Sequence, residues 1–133
     1  MDANIVGQGS YGCVVKPSLK CEKSYNALDS KPNYDNKVSK IMSDRDAKEE
    51  QQEMKIFKSI KGIEKYTVAY PKLCKPRMNE QFKKLVAKCR SSPVRQKQAE
   101  RNLEGLSLLI LEDGGVDLHQ FVRSVFPTLS ISD

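Results

Sequence analysis

Hydrophobic positions recur along this chain with two periods, and the periods predict its elements. Ile5-Val6 and Cys13-Val14-Val15 flank a glycine cluster; β-branched residues on both sides of a turn predict strand, turn and strand. Residues 17–36 are polar, with Pro, Ser, Asn and Asp, and read as a long loop. Lys37-Val38-Ser39-Lys40-Ile41-Met42 alternates polar and apolar, the pattern of a half-buried strand. A helix over about 43–61 should follow. Ser43 is its N-cap, Asp46 favours the positive end, Ala47, Met54, Phe57 and Ile60 share one face, and Gly62 stops it. Tyr66 to Leu73 reads as a strand with Pro71 towards its end, and Asn79 caps a second helix with a Phe82, Leu85, Val86, Cys89 stripe. Leu106 to Leu111 is apolar on both faces, as in a buried strand. Val116 to Phe126 looks helical, with Leu118, Phe121, Val122 and Val125 on one face before Pro127. This order predicts an α+β fold, an antiparallel sheet with one main helix against it.

Composition narrows the class. The 133 residues allow one domain with a lean core, 38 % hydrophobic and 30 % charged. The longest strongly apolar run, Leu106 to Leu111, falls far short of the ~20 residues of a membrane span. The opening MDAN has neither the basic nor the apolar region of a signal peptide. The expectation is a soluble cytoplasmic protein with no membrane partner.

The net charge of +6 is concentrated: Lys72 to Arg101 holds ten basic residues and two acids, Glu80 and Glu100. Such a run attracts phosphate backbones. Its one aromatic, Phe82, belongs to the apolar stripe, so no stacking platform is evident, and a solvated face or a substrate-docking surface is the better reading than nucleic-acid binding. Cys13, Cys21, Cys74 and Cys89 show no CxxC spacing, and His119 is the one histidine. A zinc site would need two remote cysteine pairs to converge, whereas such sites usually take close-spaced ligands. The cysteines read as four reduced structural thiols, and no metal site is expected in this chain.

Gly7-Gln8-Gly9-Ser10-Tyr11-Gly12-Cys13-Val14 matches G-x-G-x-x-G-x-V. Glycines there could form a plain hairpin, open a dinucleotide-binding helix, or cover phosphates with bare backbone N–H groups. A dinucleotide fold needs a helix to start inside the glycines, and Cys13-Val14-Val15-Lys16-Pro17 is poor helix chemistry. A hairpin fits better. Lys40 lies near the end of the predicted third strand, and Glu49, Glu50 and Glu53 follow on the helix. Glu53 precedes Phe57 and Ile60 by four and seven residues and so shares the sheet-facing side, with Glu49 one turn earlier as second choice. A glutamate on that face needs a cation, and Lys40 is the nearest in the pattern; a solvated Lys–Glu pair is the bland alternative.

Leu109-Ile110-Leu111-Glu112-Asp113-Gly114-Gly115-Val116-Asp117-Leu118 then runs from an apolar strand through an acidic, glycine-containing connector into a helix. Together the hairpin, lysine and connector resemble the N-terminal lobe of a eukaryotic-type serine/threonine protein kinase. The GG-x-D-L form looks most like haspin-type kinases and kinase-like proteins of large DNA viruses.

The resemblance implies a five-stranded lobe over 1–111, with a glycine loop at 7–14, a loop insert at 17–36, the αC helix at about 43–61 and a basic insert at about 75–102. A hinge at 112–116 and the start of a C-lobe at 117–133 would follow. It implies ATP held by Val6, Gly7, Gln8, Gly9, Ser10, Tyr11, Gly12, Cys13 and Val14, with Lys40 on the phosphates and Glu53 orienting it. Leu111 would be the gatekeeper, backbone of Glu112 and Gly114 would face the adenine, and Asp117 would cap the next helix or lie near the ribose. The implied partners are ATP with Mg²⁺, a protein substrate and the chain's own C-lobe, in the cytoplasm, or in host cytoplasm or virion for a viral source.

The chain also departs from the family. Lys37-Val38-Ser39-Lys40 stands where V-A-I-K is usual, and H-R-D-x-x-x-x-N, D-F-G and A-P-E do not occur in the 133 residues. The catalytic Asp and metal ligands are therefore expected in a missing C-lobe, and this chain alone is expected to be inactive. A non-catalytic kinase-like module, pseudokinase or regulatory, is the alternative.

Overall fold

A computed structural model gives the fold and describes residues 3–22, 34–57 and 71–112. Its elements are β1 (Asn4–Gln8), β2 (Gly12–Lys16), β3 (Lys37–Ser43), α1 (Asp44–Phe57), β4 (Lys72–Cys74), α2 (Glu80–Lys88), α3 (Ser92–Ala99), a 3₁₀ turn (Leu103–Gly105) and β5 (Leu106–Glu112). The strands form one antiparallel sheet in the order β1-β2-β3-β5-β4. The fold is thus α+β with a five-stranded antiparallel sheet. No helix of the described residues is long and apolar enough to cross a membrane.

Capping chemistry starts the helices where the sequence places them. The Ser43 hydroxyl accepts from the Asp46 N–H at 3.2 Å and donates to the Asp46 carboxylate at 2.8 Å. Asn79 Oδ1 accepts from the Phe82 N–H at 2.9 Å, and Phe82, Leu85, Val86 and Cys89 are all buried as their spacing requires. The second half of the basic segment is a separate helix, α3. It starts at Ser91 with Pro93 in its first turn and ends with Arg101 at a left-handed φ of 56°. The Asn102 N–H then reaches Lys97 O and the Arg101 N–H reaches Gln98 O, closing the carbonyls of the last turn.

Helices cover the sheet on both faces, not one. The larger core lies under α2 and α3, where Phe82, Leu85, Val86 and Val94 meet Cys13, Val15, Ile41, Leu106, Leu108 and Ile110. Phe82 is 1 % exposed, a burial that stabilises by up to about 3 kcal/mol. On the other face Ala47 of α1 packs on Met42, Leu109 and Leu73. This explains why β5 is apolar on both sides: Leu106 through Ile110 are all buried.

The described part of the fourth strand is Lys72–Cys74, and Pro71 before it offers no N–H to the ladder. One sequence expectation is corrected here. The cysteines are not four free thiols: Cys13 is bonded to Cys89 and Cys21 to Cys74. Partners 76 and 53 residues apart in sequence leave no local signature of either bridge. The second bridge holds the entry of the long loop to the exit of β4, alongside Glu22 N–H to Lys75 O at 2.7 Å and Arg77 Nε to Cys21 O at 3.0 Å. The Gly62 stop, Tyr66 to Tyr70, Gly114, Asp117, His119 and the helix expected over 116–126 lie outside the described residues.

Candidate functional site

The register of the sheet lines up the residues that the sequence singles out. Gly7 faces Val14, Val14 faces Lys40, Lys40 faces Leu109, and Leu109 faces Leu73. Directly opposed residues share a face, so this row crosses all five strands on the side that α1 covers. Val38, two positions before Lys40 in β3, faces Leu111, again on that side. The glycine hairpin, the lysine and the apolar end of β5 therefore belong to one surface.

Lys40 Nζ donates to Glu50 Oε1 at 2.9 Å, with the two side chains 15 % and 3 % exposed. The expected partner, Glu53, is replaced by Glu50. The reason lies in the helix itself: among its described side chains α1 buries Ala47, Glu50 and Met54, three and four residues apart on one stripe. Measured from Phe57 and Ile60 the inward side includes position 53; measured from Ala47 and Met54 it includes position 50. A carboxylate this deep requires a cation at hydrogen-bond range, and its charge in turn fixes where the lysine head sits. Asp44 opens the same helix. Burial alone would raise its carboxyl, but hydrogen bonds from Lys75 and Ser107 and the charges of Lys75 and Lys48 outweigh that and hold it below the ordinary value.

The glycines do not all serve one purpose. A Cβ on Gly12 would stand 2.3 Å from the Ile41 carbonyl oxygen and 2.8 Å from Met42 Cγ, so glycine is needed there for β2 to lie close on β3. Gly7 and Gly9 are different. A Cβ on Gly7 would meet Val14 Cβ at 3.8 Å and one on Gly9 the Gly12 carbonyl oxygen at 3.9 Å, both ordinary contacts. Among the described residues nothing demands glycine at either place. Just before Gly7, β1 carries a bulge at Val6, whose side chain is 60 % exposed, and the Gly9 N–H closes the turn on Gly12 O at 2.9 Å.

Other predicted site residues are divided between the two sheet faces. The Cys13 side chain is in its disulfide under α2. Gln8 Oε1 accepts from the Arg90 N–H at 2.7 Å, and the Ser91 hydroxyl donates to Ser10 O at 3.3 Å. The Tyr11 side chain is exposed. Glu112 ends β5 and its carboxylate pairs with Lys37. Sequence patterns gave no sign that residues 89–91 tether the hairpin, because those contacts span about 80 positions. Among the described residues no group of His, Cys, Asp or Glu side chains could hold a metal ion.

No protein-family model, no curated protein and no solved structure matches the chain.

Proposed function

We propose that this sheet is the ATP-binding N-lobe of a serine/threonine protein kinase, contributing to transfer of the ATP γ-phosphate to protein hydroxyls. The observation that carries the reading is the row from Gly7 through Val14 to Lys40, with Lys40 held by the buried Glu50 and with Gly7 and Gly9 bare for no packing reason. Bare backbone lets phosphate oxygens approach N–H groups. A fixed ammonium beside them neutralises phosphate charge, and Val14, Val38 and Leu111 offer apolar surface to a base on the same face. On this reading the catalytic Asp and the Mg²⁺ ligands come from a C-lobe, and the protein substrate is the other partner. Two disulfides fit an oxidising setting, such as a virion, better than a reducing cytosol.

The tether of the hairpin to residues 89–91 favours a second reading, a non-catalytic nucleotide-binding module. Calorimetric titration of the full chain with Mg·ATP tests both. Wild type should bind, and Gly7→Ala/Gly9→Ala, for which the fold has room, should bind about tenfold more weakly, the equivalent of one charge-assisted hydrogen bond. Absence of binding, or equal binding by the double variant, would overturn both readings. Turnover of ATP on addition of an active C-lobe would select the kinase.

A further inference from the structure

A cluster of cationic side chains lies on the other side of the sheet from Lys40. A surface hollow of ≈ 470 Å³ opens where α2 ends against the glycine hairpin, lined by Gln8, Lys88, Arg90, Arg95 and Gln98. Each of these side chains can donate hydrogen bonds, and among the described residues no acid lines the hollow. The three cations form no ion pair among the described residues. The segment's own acids are elsewhere: Glu100 is engaged by Lys97 at 3.6 Å and by Gln96 Nε2 at 3.1 Å, and Glu80 sits in the first turn of α2, at the opposite end from Lys88. Gln8 Oε1 is occupied by the Arg90 N–H, which leaves its amide N–H₂ to donate. The frame is also fixed, because Cys89 is bonded to Cys13 and Ser91 to Ser10 O.

We propose that this hollow binds a phosphate monoester dianion, presented as a phosphorylated side chain of a protein partner. Two guanidinium forks, one ammonium and two amides offer more donors than the two oxygens of a carboxylate can use. A phosphoryl group brings three terminal oxygens and a charge near −2. One compact hollow suits a single such group. A nucleic-acid strand would need a run of contacts and exposed rings to stack on, and Phe82, the aromatic of this segment, is buried. The site stands apart from the nucleotide reading, since its residues lie at the edge of the face that α2 covers.

The test is ¹H–¹⁵N NMR of the full chain at a pH above the second phosphate pKa of about 6. The chain is titrated with a phosphoserine peptide, its unphosphorylated twin, inorganic phosphate and a short DNA duplex at one salt concentration. The phosphopeptide should shift amides of residues 87–98 and the Gln8 side chain saturably. The twin should not, and inorganic phosphate should displace the phosphopeptide. Lys88→Gln/Arg95→Gln, at two exposed positions, should weaken binding about tenfold or more with the rest of the spectrum unchanged. Equal shifts from both peptides, unchanged binding by the double variant, or failure of phosphate to compete would overturn the proposal. So would a DNA affinity that exceeds the phosphopeptide's and falls with the same two substitutions, which would make the surface a polyanion face.

Discussion

The Asp44 carboxylate shows at single-residue scale how this fold fixes its ends. It accepts from Lys75 and from Ser107, tying the start of α1 to the region where β4 leaves and β5 begins. Because these partners hold its folded pKa below that of an unfolded aspartate, about 3.9, the folded state binds fewer protons there. Its contribution is complete above that unfolded value and is lost as pH falls through the lower folded one. Asp44 and Lys75 are both more than a third exposed, so the effect should be modest, roughly 0.5–1 kcal/mol. Urea unfolding should show Asp44→Asn less stable than wild type by that amount at neutral pH, with the gap closing towards pH 3. A gap that persists or widens in acid would contradict this. Lys40 carries the larger lesson. Its role on the sheet was legible from the alternation of 37–42, but its partner was not, because the anchor chosen for the helical stripe decides whether 50 or 53 points inward, and only the packing of Ala47 on Met42 and Leu109 settles that.

At the scale of elements, the hairpin, β3, β5, α1 and α2 were all legible, because each writes its period and caps into a short window. Asn79 followed by the Phe82, Leu85, Val86, Cys89 stripe is the clearest case. The break between α2 and α3 was not foreseen, although Ser91 and Pro93 are a helix-start signal. The end of α3 is similarly cryptic: Arg101 takes the left-handed position where glycine is usual. Relieving that conformation sets a gain against the greater chain entropy of glycine. Arg101→Gly should therefore stabilise the protein by about 0.5 kcal/mol, a rise of a few degrees in Tm for a domain of this size. A fall in Tm would show that the Arg101 side chain contributes more than its backbone costs.

The whole molecule is held by links that no local window contains. Cys13–Cys89 and Cys21–Cys74 join the glycine hairpin and the long loop to the segment around β4 and α2. Their pairing becomes visible only when strand order brings remote cysteines together, which is why the sequence reads as four free thiols. Thiol titration of the unfolded chain, purified without reductant, should find none. Cys21→Ala/Cys74→Ala should lower stability by about 2–4 kcal/mol in thermal or denaturant unfolding. Four reactive thiols, or a neutral double variant, would restore the reduced reading.

The two proposals place their ligands on opposite faces of the sheet, nucleotide on the Lys40 side and a phosphorylated side chain at the basic hollow on the α2 side. Labelling the full chain with an acyl-phosphate derivative of ATP, which acylates the lysine nearest the bound phosphates, separates them by peptide mass spectrometry. Lys40 should be modified first, and excess Mg·ATP should suppress its modification. Labelling concentrated on Lys83, Lys84 and Lys88, or labelling of Lys40 that ATP leaves unchanged, would contradict a nucleotide site on the Gly7–Val14–Lys40 row.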